Sequence, residues 1–197
     1  FFLLEHEFYQ LLSILGIKTP VHVFVETGKA FPLKEIESIS SKHLVLKIVS
    51  PHIIHKSDVG GVRFVKNEIR EIKKTVSEMI TDIPEKYYSW MDKSGDRIPS
   101  LEDIKQKIRG VLVVEVVEYE KAGYGSEMLL GLRNTREFGP VVTLGSGGTD
   151  VEYMNCHLKE GRALAIASAP LIEDLDILSM LQPLAFFDKI TSELRGR

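Results

Sequence analysis

From Lys47 to Gly61 the chain reads Lys-Ile-Val-Ser-Pro-His-Ile-Ile-His-Lys-Ser-Asp-Val-Gly-Gly. The apolar run Leu44 to Val49 predicts a strand that Ser50-Pro51 ends, because proline lacks the N–H a ladder needs. A polar loop bearing His55, Lys56, Ser57 and Asp58 follows, closed by Gly60-Gly61, and a second strand is predicted over Val62 to Val65. Glycines adopt backbone conformations closed to other residues, so the pair offers this loop conformational freedom. A strand that ends in a histidine-bearing loop and restarts after Gly-Gly is a costly way merely to connect two elements. It brings a phosphate-binding cation and a candidate phosphoryl acceptor close together in the chain.

The remaining segments set the frame. Leu3, Leu4, Phe8, Leu11, Leu12 and Leu15 recur at helical spacing, with Gly16 as a C-cap. A strand is predicted over Val21 to Val25 and a short helix over Phe31 to Ile39. Ile69, Ile72, Val76, Met79 and Ile80 form one helical face. Residues 81 to 100 carry Pro84, Gly95 and Pro99 and read as a long surface connection pinned by Tyr87, Tyr88 and Trp90. Glu102 to Ile108 suits a short helix, and Val111 to Val117 is β-branched and continuous enough for a buried strand. Strands over Glu127 to Leu132 and Val141 to Leu144 flank a turn-rich Arg133 to Pro140, and the tail from Leu158 to Leu194 reads as mostly helical, broken at Pro170 and Pro183. This order predicts an α+β chain of two lobes rather than a doubly wound sheet.

With 197 residues the chain can bury a sizeable core in one domain or two small lobes. A net charge of −3 gives no general reason to bind nucleic acid or an anionic membrane. Cys156 is the single cysteine, which excludes an intrachain disulfide and a thiolate cluster and fits a reducing, cytoplasmic setting. No apolar run reaches the length a bilayer span needs, and Phe1 to Glu7 has neither the basic start nor the cleavage site of a signal peptide. The chain opens on Phe1 rather than methionine and is expected to be a piece of a longer protein.

Several residues could carry chemistry. Lys47 lies between Leu46 and Ile48 in its strand, so its ammonium needs either a solvent-facing side or an anion such as a phosphate. His55 sits among polar neighbours. It reads either as a surface histidine or as a nitrogen nucleophile that accepts a phosphoryl group. Gly145-Ser-Gly-Gly148 follows a strand and precedes a helix predicted from Thr149 or Asp150; its glycines either make a simple turn or let backbone N–H groups approach an anion. It matches neither the dinucleotide fingerprint nor the P-loop. Glu115, Glu118 and Glu127 each read as a solvent-facing strand residue or as an acid beside a nucleotide.

Taken together, three blocks resemble the ATP-grasp domain of NDP-forming acyl-CoA synthetases, the family that includes ADP-forming acetyl-CoA synthetase. They are Leu46 to Val62; Gly110 to Val117 leading into Glu127 to Arg133; and Glu137 to Gly148 with Val151-Glu152. With the entry helix Leu11 to Pro20, the likeness spans residues 4 to 152. It implies a two-lobed ATP-grasp fold that clamps ATP between antiparallel sheets, with an N-terminal lobe over 1–108 and an incomplete C-terminal lobe over 109–197. It implies that Lys47 contacts the nucleotide phosphates. Glu115 and Val117 fall on the hinge strand near the adenine and Glu127 on the next strand of the site. Gly145, Gly147 and Gly148 line the phosphate end. His55 matches a transiently phosphorylated histidine, and Glu152 matches an acid that steadies phosphohistidine.

The resemblance further implies ATP or ADP as ligands and Mg²⁺ in the intact protein. The family's Mg²⁺-binding acid and asparagine belong to a motif absent from these residues, so the metal ligands are left unknown. A CoA-binding and ligase domain or subunit is the implied partner, with oligomerisation of the intact enzyme, and this piece alone is expected to be inactive. The alternative is a non-catalytic ATP-grasp-like regulatory module, such as those fused to protein acetyltransferases.

Overall fold

The computed structural model describes residues 3–94, 99–118, 127–147 and 150–191. Contacts divide the chain into two compact units, Phe1–Val117 and Glu118–Arg197. The first holds, in order, α1 (Glu5–Ile14), β1 (His22–Glu26), α2 (Leu33–Glu37), β2 (His43–Val49), a 3-10 turn (Ser57–Val59), β3 (Val62–Lys66), α3 (Ile69–Ser94), α4 (Leu101–Gln106) and β4 (Gly110–Glu115). Its four strands form one antiparallel sheet in the order β1-β4-β2-β3.

Being last in sequence yet interior in the sheet, β4 sends successive side chains to opposite faces. Val111 and Val113 join Leu44, Leu46, Ile48 and Val65 in the larger core, against Ile36 and the helices α3 and α4. Leu112 and Val114 face the other way with Val49, against Leu4 and Tyr9 of the α1 region and Phe24. A strand covered on both faces accounts for the β-branched run read from the sequence. Because β4 pairs with β1 and β2, it belongs to the first unit. The division therefore falls after Val117 rather than after residue 108.

The surface connection expected over residues 81–100 is instead mostly helix, since α3 runs unbroken from Ile69 to Ser94 with Pro84 inside it. A proline inside a helix costs about 3 kcal/mol, through a lost hydrogen bond and a clash with the preceding turn. The apolar stripe outweighs it. Ile72, Val76, Met79, Ile83 and Tyr87 are all buried at helical spacing, and Trp90 and Met91 extend them against the same core. Each large apolar side chain so buried contributes about 1.5–3 kcal/mol.

The second unit holds β5 (Met128–Thr135), β6 (Gly139–Ser146), α5 (Asp150–His157), β7 (Leu164–Ser168), a 3-10 turn (Ala169–Leu171), α6 (Asp174–Leu181) and α7 (Phe187–Ile190). Its antiparallel sheet has the order β5-β6-β7. Much of Arg133 to Pro140, read as turn-rich, is paired strand. Only a tight turn remains, in which the Thr135 hydroxyl donates to Gly139 O and accepts from Phe138 N–H. Strand β7 also replaces part of the tail expected to be helical. Its alanines favour helix locally, but pairing of Leu164–Ser168 along β6 satisfies that backbone as strand. Both units are thus helices with antiparallel sheets, the α+β class expected.

If α3 continues through Pro84, Ile83→Ala removes a fully buried side chain and destabilises the first unit by about 2–5 kcal/mol. Urea unfolding followed by the emission of the single tryptophan, Trp90, measures this. A change below about 0.5 kcal/mol, as for an exposed connection, contradicts the helix.

Candidate functional site

In the antiparallel register Lys47 lies opposite Leu112, and directly opposed residues share a face. Leu46 and Ile48 enter the larger core, so Lys47 points to the face that α1 covers. An ammonium there needs an anion, and Glu5 in the first turn of α1 supplies it. Lys47 Nζ lies 2.5 Å from Glu5 Oε1, and Lys56 Nζ lies 3.2 Å from Glu5 Oε2. The three side chains keep between 22% and 27% of their exposure. Tyr9 Oη donates to Glu5 Oε1 at 3.3 Å, and the Glu7 carboxylate accepts from Leu4 N–H at 2.7 Å, which closes the turn carrying Glu5.

Burial alone would raise the Glu5 carboxyl. The hydrogen bonds and charges of Lys47 and Lys56 outweigh it and hold the group below its ordinary 4.5. Burial first, then the Glu5 charge and hydrogen bond, pushes the Tyr9 hydroxyl up to about 12. Beside them, His6 stacks face to face on Phe24 with centroids 3.9 Å apart, and burial lowers its pKa. A small cavity of about 260 Å³ opens next to Glu5 and Lys56, walled by Leu4, Phe8, Ile53 and Ile54.

The loop from Ser50 to Gly61 is held at both ends. Ile53 and Val59 are buried, Ile48 N–H donates to Gly61 O, and Gly61 N–H donates to Lys56 O. Gly60 has a left-handed φ of +72°, and a Cβ on Gly61 would come within 2.7 Å of Ile48 Cγ2. This path of the loop therefore uses both glycines, one for its left-handed turn and one for its close approach to β2. Between the anchors, Ile54 is 72% and the His55 side chain 60% exposed. The His55 ring sits 5.4 Å from that of Trp90 on α3, and its Nδ1 lies 3.9 Å from Asp58 Oδ2. Trp90 is itself stacked on the buried Tyr87.

The other expected site residues have local partners. Glu115 ends β4, and its carboxylate accepts from Val21 N–H at 2.7 Å, while Val117 is exposed. In the second unit Glu127 O accepts from Gly147 N–H at 2.8 Å. A Cβ on Gly145 would meet the Ala163 carbonyl oxygen at 2.9 Å, so close strand packing already demands a glycine there, and one on Gly147 would sit tightly against the Met128 backbone at 3.1 Å. The Ser146 hydroxyl between them is fully buried without a hydrogen-bond partner. Gly148 lies outside the described residues. Glu152 falls within α5, and its side chain lies outside them too. Lys47, His55, Glu115 and Val117 thus belong to the first unit, and Glu127, Gly145 and Gly147 to the second.

Sequence reasoning missed Glu5, and it read Lys56 and Trp90 only as a loop neighbour and a pin. Trp90 was discoverable, since it continues the helical stripe past Pro84. Glu5 was not, because an acid in a first helical turn is ordinary. Among the described residues no three His, Cys, Asp or Glu side chains come together as a metal set. No described helix is long and apolar enough to cross a membrane.

Both units are built on antiparallel sheets, and the first carries two lysines on and beside its histidine-bearing loop. A model of the ATP-grasp domain matches residues 2–187, and the chain belongs to that family. It is 32% identical over 152 residues to the 4-hydroxybutyrate–CoA ligase [ADP-forming] of Nitrosopumilus maritimus, covering 77% of this chain and 18% of the ligase. It is 28% identical over 183 residues to the β subunit of acetate–CoA ligase [ADP-forming] I of Pyrococcus furiosus, covering 91% and 64%. Among solved structures it resembles acetyl-coenzyme A synthetase 1 of Ca. Korarchaeum cryptofilum in complex with coenzyme A and Ca-AMPCP, with a TM-score of 0.61 and 29% identity over 98% of this chain and 71% of that one. A second structure of that synthetase, with coenzyme A, acetyl-coenzyme A and a phosphorylated phosphohistidine segment, gives 0.57 and 27% over 96% and 68%. The chain thus spans less than two thirds of both curated relatives.

The Glu5 shift predicts an acid-linked loss of stability. A carboxyl whose folded pKa is depressed contributes stability above its unfolded pKa and loses it as pH falls through the folded value. The stability difference between wild type and Glu5→Gln is therefore largest near neutrality and shrinks below pH 4.5. Urea titrations across that range check it, and a pH-independent difference contradicts it.

Proposed function

We propose that this chain is the nucleotide-binding part of an NDP-forming acyl-CoA synthetase, serving acyl-CoA + phosphate + ADP ⇌ carboxylate + CoA + ATP. In this reading His55 carries the phosphoryl group, Lys47 contacts the nucleotide phosphates, and a CoA-binding and ligase domain or subunit completes the enzyme. The observation that carries it is the placement of an exposed imidazole on the loop whose Lys56 shares one carboxylate with Lys47. Cations on that loop and on the adjoining strand suit a phosphoryl group passing between nucleotide and histidine. The relatives are named as CoA ligases, which favours this reading over a regulatory module.

The transfer balances simply. A ring nitrogen of His55 bonds to the γ-phosphorus of ATP as the bridging P–O bond breaks, and ADP leaves with that electron pair. In the direction of ATP synthesis the phosphoryl group arrives from an acyl phosphate formed elsewhere and returns to ADP. The Lys47 ammonium stabilises the negative charge on the oxygens in flight. Glu115, Val117, Glu127, Gly145, Gly147 and Gly148 complete the proposed nucleotide site, and Glu152 steadies the phosphohistidine.

Full-length protein incubated with γ-labelled ATP and Mg²⁺ should acquire acid-labile, base-stable label that His55→Ala abolishes. Undiminished label in the variant removes His55 as the carrier. Lys47→Ala should weaken ATP binding at least about tenfold, as expected for a lost charge-assisted contact. Wild-type affinity by calorimetry contradicts that role.

A further inference from the structure

We propose that Lys56 and Lys47 form a two-cation phosphate site, and that Glu5 is its resting occupant. The proposal rests on the reading of Lys47 as a phosphate contact and adds two residues to it. Each Glu5 oxygen takes one ammonium, at 2.5 Å and 3.2 Å, much as two oxygens of a phosphate would. Two ammoniums against one carboxylate leave a net positive charge in a partly buried setting where screening is reduced. A phosphate bearing two or more negative charges is a stronger partner for the pair than a carboxylate bearing one. Its arrival repels Glu5 and draws both lysines.

The two lysines are mounted differently. Lys47 is fixed in β2 between buried Leu46 and Ile48, whereas Lys56 belongs to the loop between the anchors Ile53 and Val59. Lys56 directly follows His55, so a phosphate held by both cations lies beside the segment that bears the imidazole. The cavity next to Glu5 and Lys56 gives the displaced carboxylate room to turn. Glu5 therefore keeps two like charges together while the site is empty, and competes with the ligand for them.

Calorimetry on the full chain with ATP and with inorganic tripolyphosphate tests this. Glu5→Gln keeps the side chain's shape but removes its charge, and both ligands should bind about three- to tenfold tighter. Lys56→Gln should weaken both at least about tenfold, with Lys56→Arg restoring most of the loss. Weaker binding in Glu5→Gln, with the Trp90 emission spectrum unchanged, overturns Glu5 as competitor and makes it scaffolding. Wild-type affinity in Lys56→Gln, while Lys47→Ala is impaired, overturns Lys56 as the second cation. If Lys47→Ala also binds as wild type, the underlying nucleotide reading fails instead. Should Glu5→Gln fail to fold, Glu5→Asp serves, because a shorter carboxylate that reaches only one lysine should also tighten binding.

Discussion

The first unit is governed by a strand that must be dry on both faces. Residues Val111 to Val114 of β4 are buried, alternating between a large core on one side and a small one on the other. Such a sheet needs a layer over its second face, and α1 provides it through Leu4 and Tyr9. Once α1 is there, Lys47 is trapped beneath it, because register puts Lys47 beside Leu112. An unpaired ammonium in that place would be costly, and Glu5 resolves it. The chemistry of the site is thus tied to the covering of the sheet.

The same carboxylate reaches the histidine loop through Lys56. The loop is pinned at Ile53, Val59 and Gly61, yet leaves Ile54 and His55 to solvent. Its imidazole rests by Trp90, which the long helix α3 presents from above Tyr87. The loop is therefore contacted from two sides, by Trp90 of α3 at His55 and by Glu5, shared with Lys47 of β2, at Lys56. In the second unit Gly145, within β6, and Gly147, just after it, pack closely on neighbouring backbone, and the Ser146 hydroxyl between them is buried without a partner.

Much of this was legible in the sequence. The run Val111 to Val117 announced a buried strand because β-branching and continuity have few other uses. The strand–loop–strand around His55 was readable because proline and paired glycine punctuate the backbone. Other features were hidden for physical reasons. Pro84 argued for an end to α3, but the burial of Ile83 and Tyr87 overrode a local cost. The alanines of Leu164–Ser168 suggested helix, and only pairing with β6 makes them strand. Glu5 and Lys47 are far apart in sequence and meet only through α1 docking, a tertiary event that no local pattern encodes.

The central claim is that Glu5 energetically joins the strand lysine and the loop lysine. A double-mutant cycle in urea unfolding, read through Trp90, measures it directly: Glu5→Gln against Lys47→Gln, and Glu5→Gln against Lys56→Gln. Coupling of about 0.5–3 kcal/mol in both cycles is the predicted result. Additive losses in either cycle would contradict a carboxylate shared between the two ammoniums.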